Sequence, residues 1–233
     1  MTMVREIILD TETTGLDPAT GDRIVEIGAI ELLNHLPTGR TFHVYINPER
    51  DMPREAEAVH GLSSVFLKDK PVFSAVVQDF LEFIGDSVLI IHNASFDMSF
   101  INAELGFLRL SAIPPERVVD TLNIARQKHP GAANSLDALC RRYGIDNSKR
   151  TRHGALLDSE LLAEVYLELI GGRQTALILE TSVTKRANTK VAAHVAQRRP
   201  VPLPSRLTDA ERAAHTTFVA ALGDSALWKL DIN

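Results

Sequence analysis

The sequence predicts an α/β domain with a mixed β-sheet, followed by a C-terminal extension of different composition. Three segments rich in β-branched residues occupy the start of the chain, and their short connections favour an antiparallel meander. Further along, two more apolar strands alternate with helical segments, which is typical of an α/β domain. After Gly171 and Gly172 the composition changes, so we expect the domain to end near residue 180.

Five strands are predicted from runs of apolar and β-branched residues, at 6–12, 23–33, 40–46, 88–92 and 117–120. Helices are predicted from 3.6-residue apolar periodicity, at 71–84, 95–105, 121–129, 135–143 and 155–170. We expect Ser95 to cap the second of these helices and Asp120 to cap the third.

The extension divides into a linker and a short helix. Residues 181–206 hold six basic residues, no acidic residue and three prolines, a composition typical of a flexible linker. Thr208 and Glu211 form a predicted capping box that begins a helix, and Gly223 is expected to end it.

Composition and charge exclude several classes of protein. The only cysteine among the 233 residues, Cys140, excludes a disulfide framework, and we expect it in the core. The sequence has no bilayer-spanning apolar run and no signal peptide, so we expect a cytoplasmic protein. Residues 1–180 carry 17 basic and 26 acidic residues. This acidic balance excludes a nucleic-acid binder that works only by neutralising phosphates with basic side chains, unless the acidic residues hold metal ions.

Two carboxylates lie at the end of the first strand. Asp10 and Glu12 are two residues apart, so both side chains lie on one face of the strand. Their repulsion raises the pKa of one of them unless a cation lies between them. Solvated acids at a strand end are the ordinary alternative.

Two further carboxylates lie on helix faces that are partly or wholly apolar. Asp97 precedes Phe100 and Ile101 on one helix face, although an acid in a first turn also stabilises the helix dipole. Asp158 lies on the apolar stripe of the 155–170 helix, where an unpaired carboxylate is very costly. Its partner is therefore an arginine or a metal ion. His153 lies five residues earlier, and carboxylates with water and phosphate oxygens are the ligands that Mg²⁺ prefers.

Three stretches together resemble the exonuclease motifs of the DEDD superfamily, in its histidine-bearing branch: 10–15, 93–97 and 153–158. The closer resemblance is to the family of proofreading epsilon subunits of bacterial DNA polymerase III, supported by the stretches 42–45, 59–62, 134–140 and 146–151. It covers residues 5–180 densely and the extension only in outline. It implies a ribonuclease-H-like five-stranded mixed sheet flanked by helices.

The resemblance also implies a 3′–5′ exonuclease that removes mispaired 3′-terminal nucleotides with two divalent metal ions, Mg²⁺ or Mn²⁺. By this resemblance Asp10, Glu12 and Asp158 hold the ion that carries the attacking water. Asp10 bridges to the second ion, which Asp97 ligates directly or through water. His153 is the general base, because an imidazole side chain suits proton transfer near neutral pH.

Substrate contacts follow from the same resemblance. Thr13, Glu55 and His60 match family positions near the 3′-terminal nucleotide, and Leu16 is placed to pack against its base. An ordinary loop role is equally compatible with each of these four residues.

The extension resembles a set of binding segments. Gln174, Leu177 and Leu179 match the pattern of peptides that bind the β sliding clamp, although a last strand or turn packed on the domain is the alternative. Residues 207–233 are expected to anchor the replicative polymerase catalytic subunit through an apolar set, or else to fold back onto the nuclease. That set includes Phe218, Leu222 and Trp228.

The expected partners are single-stranded or frayed DNA 3′ ends, the polymerase, the clamp and a small theta-like accessory subunit. Two other functions stay open from the sequence. One is a stand-alone exonuclease acting on RNA or tRNA 3′ ends, which the extension disfavours because such relatives are typically compact. The other is an inactive polymerase scaffold, which the intact carboxylates disfavour.

Overall fold

A computed structural model describes residues 4–148, 150, 152–171 and 207–222. The chain falls into two units, residues 1–178 and 179–233. The predictions made for the clamp-binding peptide, for the linker at 181–206 and for Trp228 lie outside the described residues. Within the described ranges, no helix combines the length and the apolar character needed to cross a bilayer.

The first unit contains a five-stranded mixed sheet, which confirms the predicted fold class. Its strands are β1 Arg5–Thr13, β2 Ile24–Leu33, β3 Leu36–Tyr45, β4 Val88–Ile91 and β5 Val118–Asp120. They are ordered β3-β2-β1-β4-β5. β1 pairs antiparallel with β2 and parallel with β4, while β2–β3 is antiparallel and β4–β5 is parallel. The first strand is therefore the central one.

β3 begins four residues earlier than predicted. Asn34 and His35 both have positive φ angles, 50° and 67°, and together they form a two-residue hairpin loop. Pro37 suggested a longer loop, but β3 is an edge strand, where a residue without an N–H is tolerated.

Seven α-helices in the described part of the first unit flank the sheet or follow its strands. They are α1 Arg54–His60, α2 Ser64–Leu67, α3 Phe73–Ile84, α4 Ala94–Phe107, α5 Thr121–Lys128, α6 Leu136–Tyr143 and α7 Ala155–Leu169. The sequence did not predict α1 and α2, which have seven and four residues. Isolated helices of that length are not stable, and their periodicity is too short to detect.

The two predicted caps have different outcomes. The Asp120 side chain accepts a hydrogen bond from the Leu122 backbone N–H at 2.9 Å, which confirms it as the cap of α5. Ser95 is not a cap, because α4 begins at Ala94 after Asn93, whose φ of 63° is left-handed. Asn93 turns the chain directly from strand into helix, and its own N–H bonds to Asp120 at 3.1 Å.

Each face of the sheet has its own apolar core, because alternate side chains of β1 point to opposite faces. Ile7 and Leu9 pack in the core that contains residues of α3 and α4. Ile8 packs in the core that contains residues of α5, α6 and α7, where Cys140 is fully buried as predicted. Asp10 and Glu12 have the same parity as Ile8 and so face the α7 side.

The described part of the second unit is one helix, α8 Asp209–Ala221. The predicted capping box is present: the Thr208 side chain accepts from the Glu211 backbone, and Glu211 accepts from Thr208. Phe218 is 59% exposed and Leu222 44% exposed.

Candidate active site

Strand β2 and helix α7 meet at a glycine. Gly28 of β2 lies opposite Asp10 of β1, and a Cβ added to it would lie 2.2 Å from the Ala155 carbonyl carbon. The missing side chain lets the first turn of α7 contact the sheet backbone. Ser159 fixes this approach, because its hydroxyl donates to the Gly28 carbonyl at 2.9 Å.

This close approach brings Asp158 to the carboxylates of β1. Possible ligand atoms of Glu12, His153 and Asp158 all lie within 4.8 Å of one another. Asp10 lines the same cavity as His153 and Asp158, of about 330 Å³. The structure therefore assembles these residues from stretches more than 140 positions apart.

Asp97 reaches the site from the other side of β1. It lies in the first turn of α4, is buried, and accepts two hydrogen bonds at Oδ1 from Thr11. The Thr11 backbone N–H is 3.0 Å away and its hydroxyl 2.7 Å. Because Thr11 lies between Asp10 and Glu12, these bonds fix Asp97 to the strand segment that carries them.

Burial and mutual repulsion perturb three of the four carboxylates. Burial, then repulsion from Asp97 and Glu12, raises the pKa of Asp10 well above its usual range. Burial, followed by the charges of Asp158 and Glu26, raises the pKa of Glu12 to about 8. Burial also raises the pKa of Asp97 to about 7, although the hydrogen bonds from Thr11 oppose it. The site thus disfavours accumulated negative charge unless cations compensate it.

Asp158 has the cationic partner that its apolar surroundings required, and that partner is Arg150. Burial alone raises the pKa of Asp158, but hydrogen bonds from Arg150 and His153 outweigh burial and lower it. The sequence left an arginine and a metal ion as alternatives. The sequence did not identify Arg150 as this partner, although it lies inside the stretch 146–151. The residue is in a loop, where no periodic pattern indicates the direction of a side chain.

One atom of this cluster lacks a partner. Glu12 Oε1 is buried and makes no hydrogen bond among the described residues. A buried carboxylate oxygen without a donor is costly, and a cation would satisfy it. The donor set of carboxylates with one imidazole fits a hard divalent ion such as Mg²⁺ or Mn²⁺.

A second cavity, of about 440 Å³, adjoins the carboxylates through Glu12. The four residues expected beside the 3′-terminal nucleotide line it, as does Phe96, which the sequence did not indicate: Thr13, Leu16, Glu55, His60 and Phe96. The metal-site residues Asp10 and Asp158, also expected to contact substrate, line the first cavity instead. Leu16 is 84% exposed, as an apolar contact for a ligand requires. The Thr13 hydroxyl, by contrast, donates to the Gly15 carbonyl at 2.6 Å.

His60 lines this second cavity, and one nitrogen of its ring is buried without a partner at good hydrogen-bond geometry among the described residues. Its Nδ1 accepts from the Leu62 backbone N–H at 3.1 Å, so the neutral ring holds its proton on Nε2. Nε2 is buried and has no hydrogen-bond partner among the described residues. Burial lowers the pKa of His60, and the Thr13 backbone only partly opposes this, so the ring is neutral near pH 7.

Comparison with known proteins identifies the family. The family model described as Exonuclease (RNase_T) matches residues 7–166. DNA polymerase III subunit epsilon of Rickettsia conorii is 56% identical over 200 residues, covering 82% of this chain and 87% of that protein. The subunit epsilon of Escherichia coli is 42% identical over 239 residues, covering 97% and 98%.

Solved structures agree on the fold. Exonuclease X in complex with 5′-overhanging duplex DNA has a TM-score of 0.56 at 25% identity, covering 71% of this chain and 90% of that one. The nuclease domain of 3′hExo, a DEDDh family member bound to rAMP, has a TM-score of 0.63 at 20% identity, covering 72% and 92%.

These relatives do not favour the alternative of a stand-alone RNA exonuclease. The three stretches that resemble exonuclease motifs, 10–15, 93–97 and 153–158, come together in the structure. Members of this exonuclease family use divalent metal ions. The chain belongs to the DNA polymerase III epsilon subunit family, and it is a 3′–5′ exonuclease of DNA replication.

Proposed function

We propose that the chain removes mispaired 3′-terminal nucleotides during replication by two-metal-ion hydrolysis, with Mg²⁺ or Mn²⁺. The observation that carries this proposal is the cluster of buried carboxylates around the unpartnered Oε1 of Glu12. When bound, the divalent ions supply an activated water and stabilise charge on the leaving 3′-oxygen.

Each catalytic side chain has a separate task in this scheme. Asp10, Glu12 and Asp158 would hold the ion on the nucleophile side, since the two β1 carboxylates face α7 and Asp158 lies in the first turn of that helix. Asp10 and Asp97 would together hold the second ion. Because Thr11 fixes Asp97 through two hydrogen bonds, the carboxylate keeps its orientation when substrate arrives.

His153 takes the proton of the attacking water. The ring is half exposed and borders the cavity that Asp10 and Asp158 line, so one edge is open to water. Its Nδ1 lies 3.2 Å from Asp158 Oδ2, the carboxylate that orients the ring. A histidine oriented by a carboxylate is suited to general base catalysis near neutral pH.

The second cavity accepts the 3′-terminal nucleotide. Leu16 and Phe96 offer apolar surface to a base, and Glu55 lies at the rim. The buried Nε2 donor of His60 is suited to an oxygen of the sugar or base. These contacts involve a single nucleotide, so mispair selectivity depends on fraying of the 3′ end and on the polymerase.

A matched pair of substitutions tests the metal-site assignment. Asp10→Asn keeps the size of the side chain but removes a charged ligand, and we expect exonuclease activity to fall by about three orders of magnitude or more. Asp79→Asn, on the exposed face of α3, is the control and retains full activity. Activity is measured on a mismatched primer–template and on single-stranded DNA with Mg²⁺, Mn²⁺ or chelator. Wild-type turnover by the Asp10→Asn protein contradicts the assignment.

The same proposal places the chain in the bacterial cytoplasm, in the replisome, bound to the polymerase catalytic subunit. Residues 207–233 form the anchor, through Phe218, Leu222 and Trp228. Support comes from the exposed Phe218 and Leu222 on a capped helix, since exposed aromatic side chains are frequent interface anchors. A small theta-like accessory subunit is a further expected partner.

Truncation after Glu180 tests the anchor. We expect the truncated chain to lose polymerase binding and to keep exonuclease activity on single-stranded DNA, because the described active site lies wholly before residue 171. Trp228 is the only tryptophan, so its emission should shift to the blue when polymerase is added to the full chain. Polymerase binding that survives truncation contradicts the proposal.

Clamp binding is the remaining part of the proposal, through Gln174, Leu177 and Leu179. The apolar side chains would enter a groove on the β sliding clamp while Gln174 makes polar contacts. The double substitution Gln174→Ala with Leu177→Ala should abolish clamp binding in surface plasmon resonance. Thr175→Ala, between the two positions, is the matched control. Unchanged clamp affinity in the double variant rejects this segment.

A further inference from the structure

Two stretches that lie outside the exonuclease motifs, 134–140 and 146–151, contact each other in the structure. Asp137, in the first turn of α6, accepts a hydrogen bond from Asn147 Nδ2 at 3.0 Å. The same carboxylate pairs with Arg150 Nη1 at 2.9 Å. Asp137 therefore fixes the loop that follows α6 and positions Arg150, which lines the catalytic cavity.

Arg150 occupies both oxygens of Asp158. Its Nε donates to Oδ1 at 2.6 Å and its Nη2 donates to Oδ2 at 2.6 Å, which is a bidentate pair. The Arg150 side chain is 8% exposed and that of Asp158 is 3% exposed, so little solvent screens the pair. A divalent ion that binds Asp158 needs one of the same two oxygens. The guanidinium and the ion repel each other and therefore compete.

Arg150 also determines which ring nitrogen of His153 carries the proton. Nη2 lies 2.8 Å from His153 Nδ1, and a guanidinium only donates, so Nδ1 accepts. A neutral His153 in this arrangement keeps its proton on Nε2. A base that acts through Nε2 needs the opposite tautomer, with Nδ1–H donating to Asp158 Oδ2.

We propose that Arg150 is a positioning residue that holds the site in an inactive resting arrangement, as an internal cation that competes with the divalent ion for Asp158. A divalent ion at Asp158 would displace the guanidinium from that carboxylate. His153 would then lose its Nε2 proton to water and take up a proton at Nδ1, which donates to Asp158 Oδ2. Asp137 retains the guanidinium beside the site. This inference rests on the proposed function, since it takes Asp158 as a metal ligand and His153 as the base.

Direct Mn²⁺ binding to the full chain without DNA tests the competition, measured by electron paramagnetic resonance of free Mn²⁺. Arg150→Gln removes the charge, and we expect Mn²⁺ to bind at least about ten-fold more tightly. Arg150→Lys keeps the charge but cannot form the bidentate pair, and its affinity should fall between those of wild type and Arg150→Gln. Arg141→Gln, an exposed arginine of α6, is the matched control with unchanged affinity.

Nitrogen-15 NMR of the His153 ring in the wild-type chain provides a second readout that needs no variant. With chelator we expect the proton on Nε2, and with saturating Mg²⁺ we expect it on Nδ1. Unchanged or weaker Mn²⁺ binding by folded Arg150→Gln overturns the proposal, because Arg150 then orients Asp158 for the metal.

If Arg150→Gln does not fold, the Arg150→Lys variant provides the test. The proposal is then wrong if this variant binds Mn²⁺ no more tightly than the wild type does. A ring tautomer that is the same with chelator and with Mg²⁺ also overturns the proposal. Failure of the proposed function has a different signature: wild-type exonuclease activity that does not depend on divalent metal.

Discussion

Substitution of Gly28 by alanine tests how the fold sets the rate of reaction. The added Cβ would lie 2.2 Å from the Ala155 carbonyl carbon and equally close to the Leu156 nitrogen. Carbon atoms in contact prefer separations of about 3.5–4.0 Å, so α7 must move away from the sheet by about 1.5 Å. Both contacts are with backbone, which no side-chain rotation relieves. Asp158, in the first turn of α7, moves with the helix.

The displacement has two expected consequences of different size. Overpacking of this kind costs about 1–3 kcal/mol in the free energy of unfolding. A shift of about 1 Å in a catalytic group costs on the order of 100-fold in rate, so we expect kcat to fall by about that factor or more. The loss of rate should therefore appear under conditions in which the variant is still folded.

Urea unfolding and the kcat for single-stranded DNA with saturating Mg²⁺ measure these two effects. Gly106→Ala in α4 is the matched control, because no atom lies within 4 Å of its added Cβ. Alanine has the higher helix propensity, so this control should gain about 0.4–1 kcal/mol in stability and keep its kcat. A Gly28→Ala enzyme with wild-type kcat and wild-type stability refutes the argument that this close approach positions Asp158.

Three further predictions each concern one side chain. In the presence of chelator, the free energy of unfolding should fall as pH rises from 4.5, the ordinary pKa of a glutamate, to about 8, the pKa of Glu12 in the folded protein. Between these values the Glu12 carboxyl is protonated only in the folded state, so the free energy of unfolding changes by at most about 1.4 kcal/mol per pH unit from this group. Glu12→Gln should flatten the profile of urea midpoints, and a steeper profile contradicts the assignment. Glu104→Gln breaks the pair of 2.7 and 2.8 Å bonds from Arg23 and should cost about 3 kcal/mol in urea unfolding without changing kcat; an unchanged midpoint shows the pair to be unimportant. His60→Phe removes the Nε2 donor and should weaken inhibition by a deoxynucleoside monophosphate on the order of ten-fold, whereas an unchanged inhibition constant excludes the contact.

Much of the site follows from residue parity and from the cost of burying charge. Alternation along β1 places Asp10 and Glu12 on one face, which needs only the strand assignment. The apolar neighbours of Asp158 at helical spacing are sufficient to predict a cationic partner for its carboxylate. Asp120 and the Thr208–Glu211 box were identifiable as caps because their hydrogen bonds are local in sequence.

The remaining features depend on contacts between distant parts of the chain. Gly28 lies inside a strand, where a glycine alone does not indicate which element approaches it. Arg150 lies in a loop without periodicity, so its bonds to Asp137 and Asp158 had no local signal. Asn93 adopts a left-handed conformation between β4 and α4, whereas the sequence alone favours Ser95, a polar residue two positions later, as the cap.

The position of α7 in the chain has a consequence for synthesis on the ribosome. This helix is the last element of the described nuclease fold to be translated, and it carries Asp158 together with Tyr166, whose hydroxyl bonds to Glu6 of β1 at 2.7 Å. A nascent chain that ends before α7 has Asp10, Glu12 and Asp97 but lacks the helix that closes one face of the sheet. With Asp158 in its proposed role, we expect nuclease activity only when translation of the domain is nearly complete, and we expect prematurely terminated chains to be inactive as well as unstable.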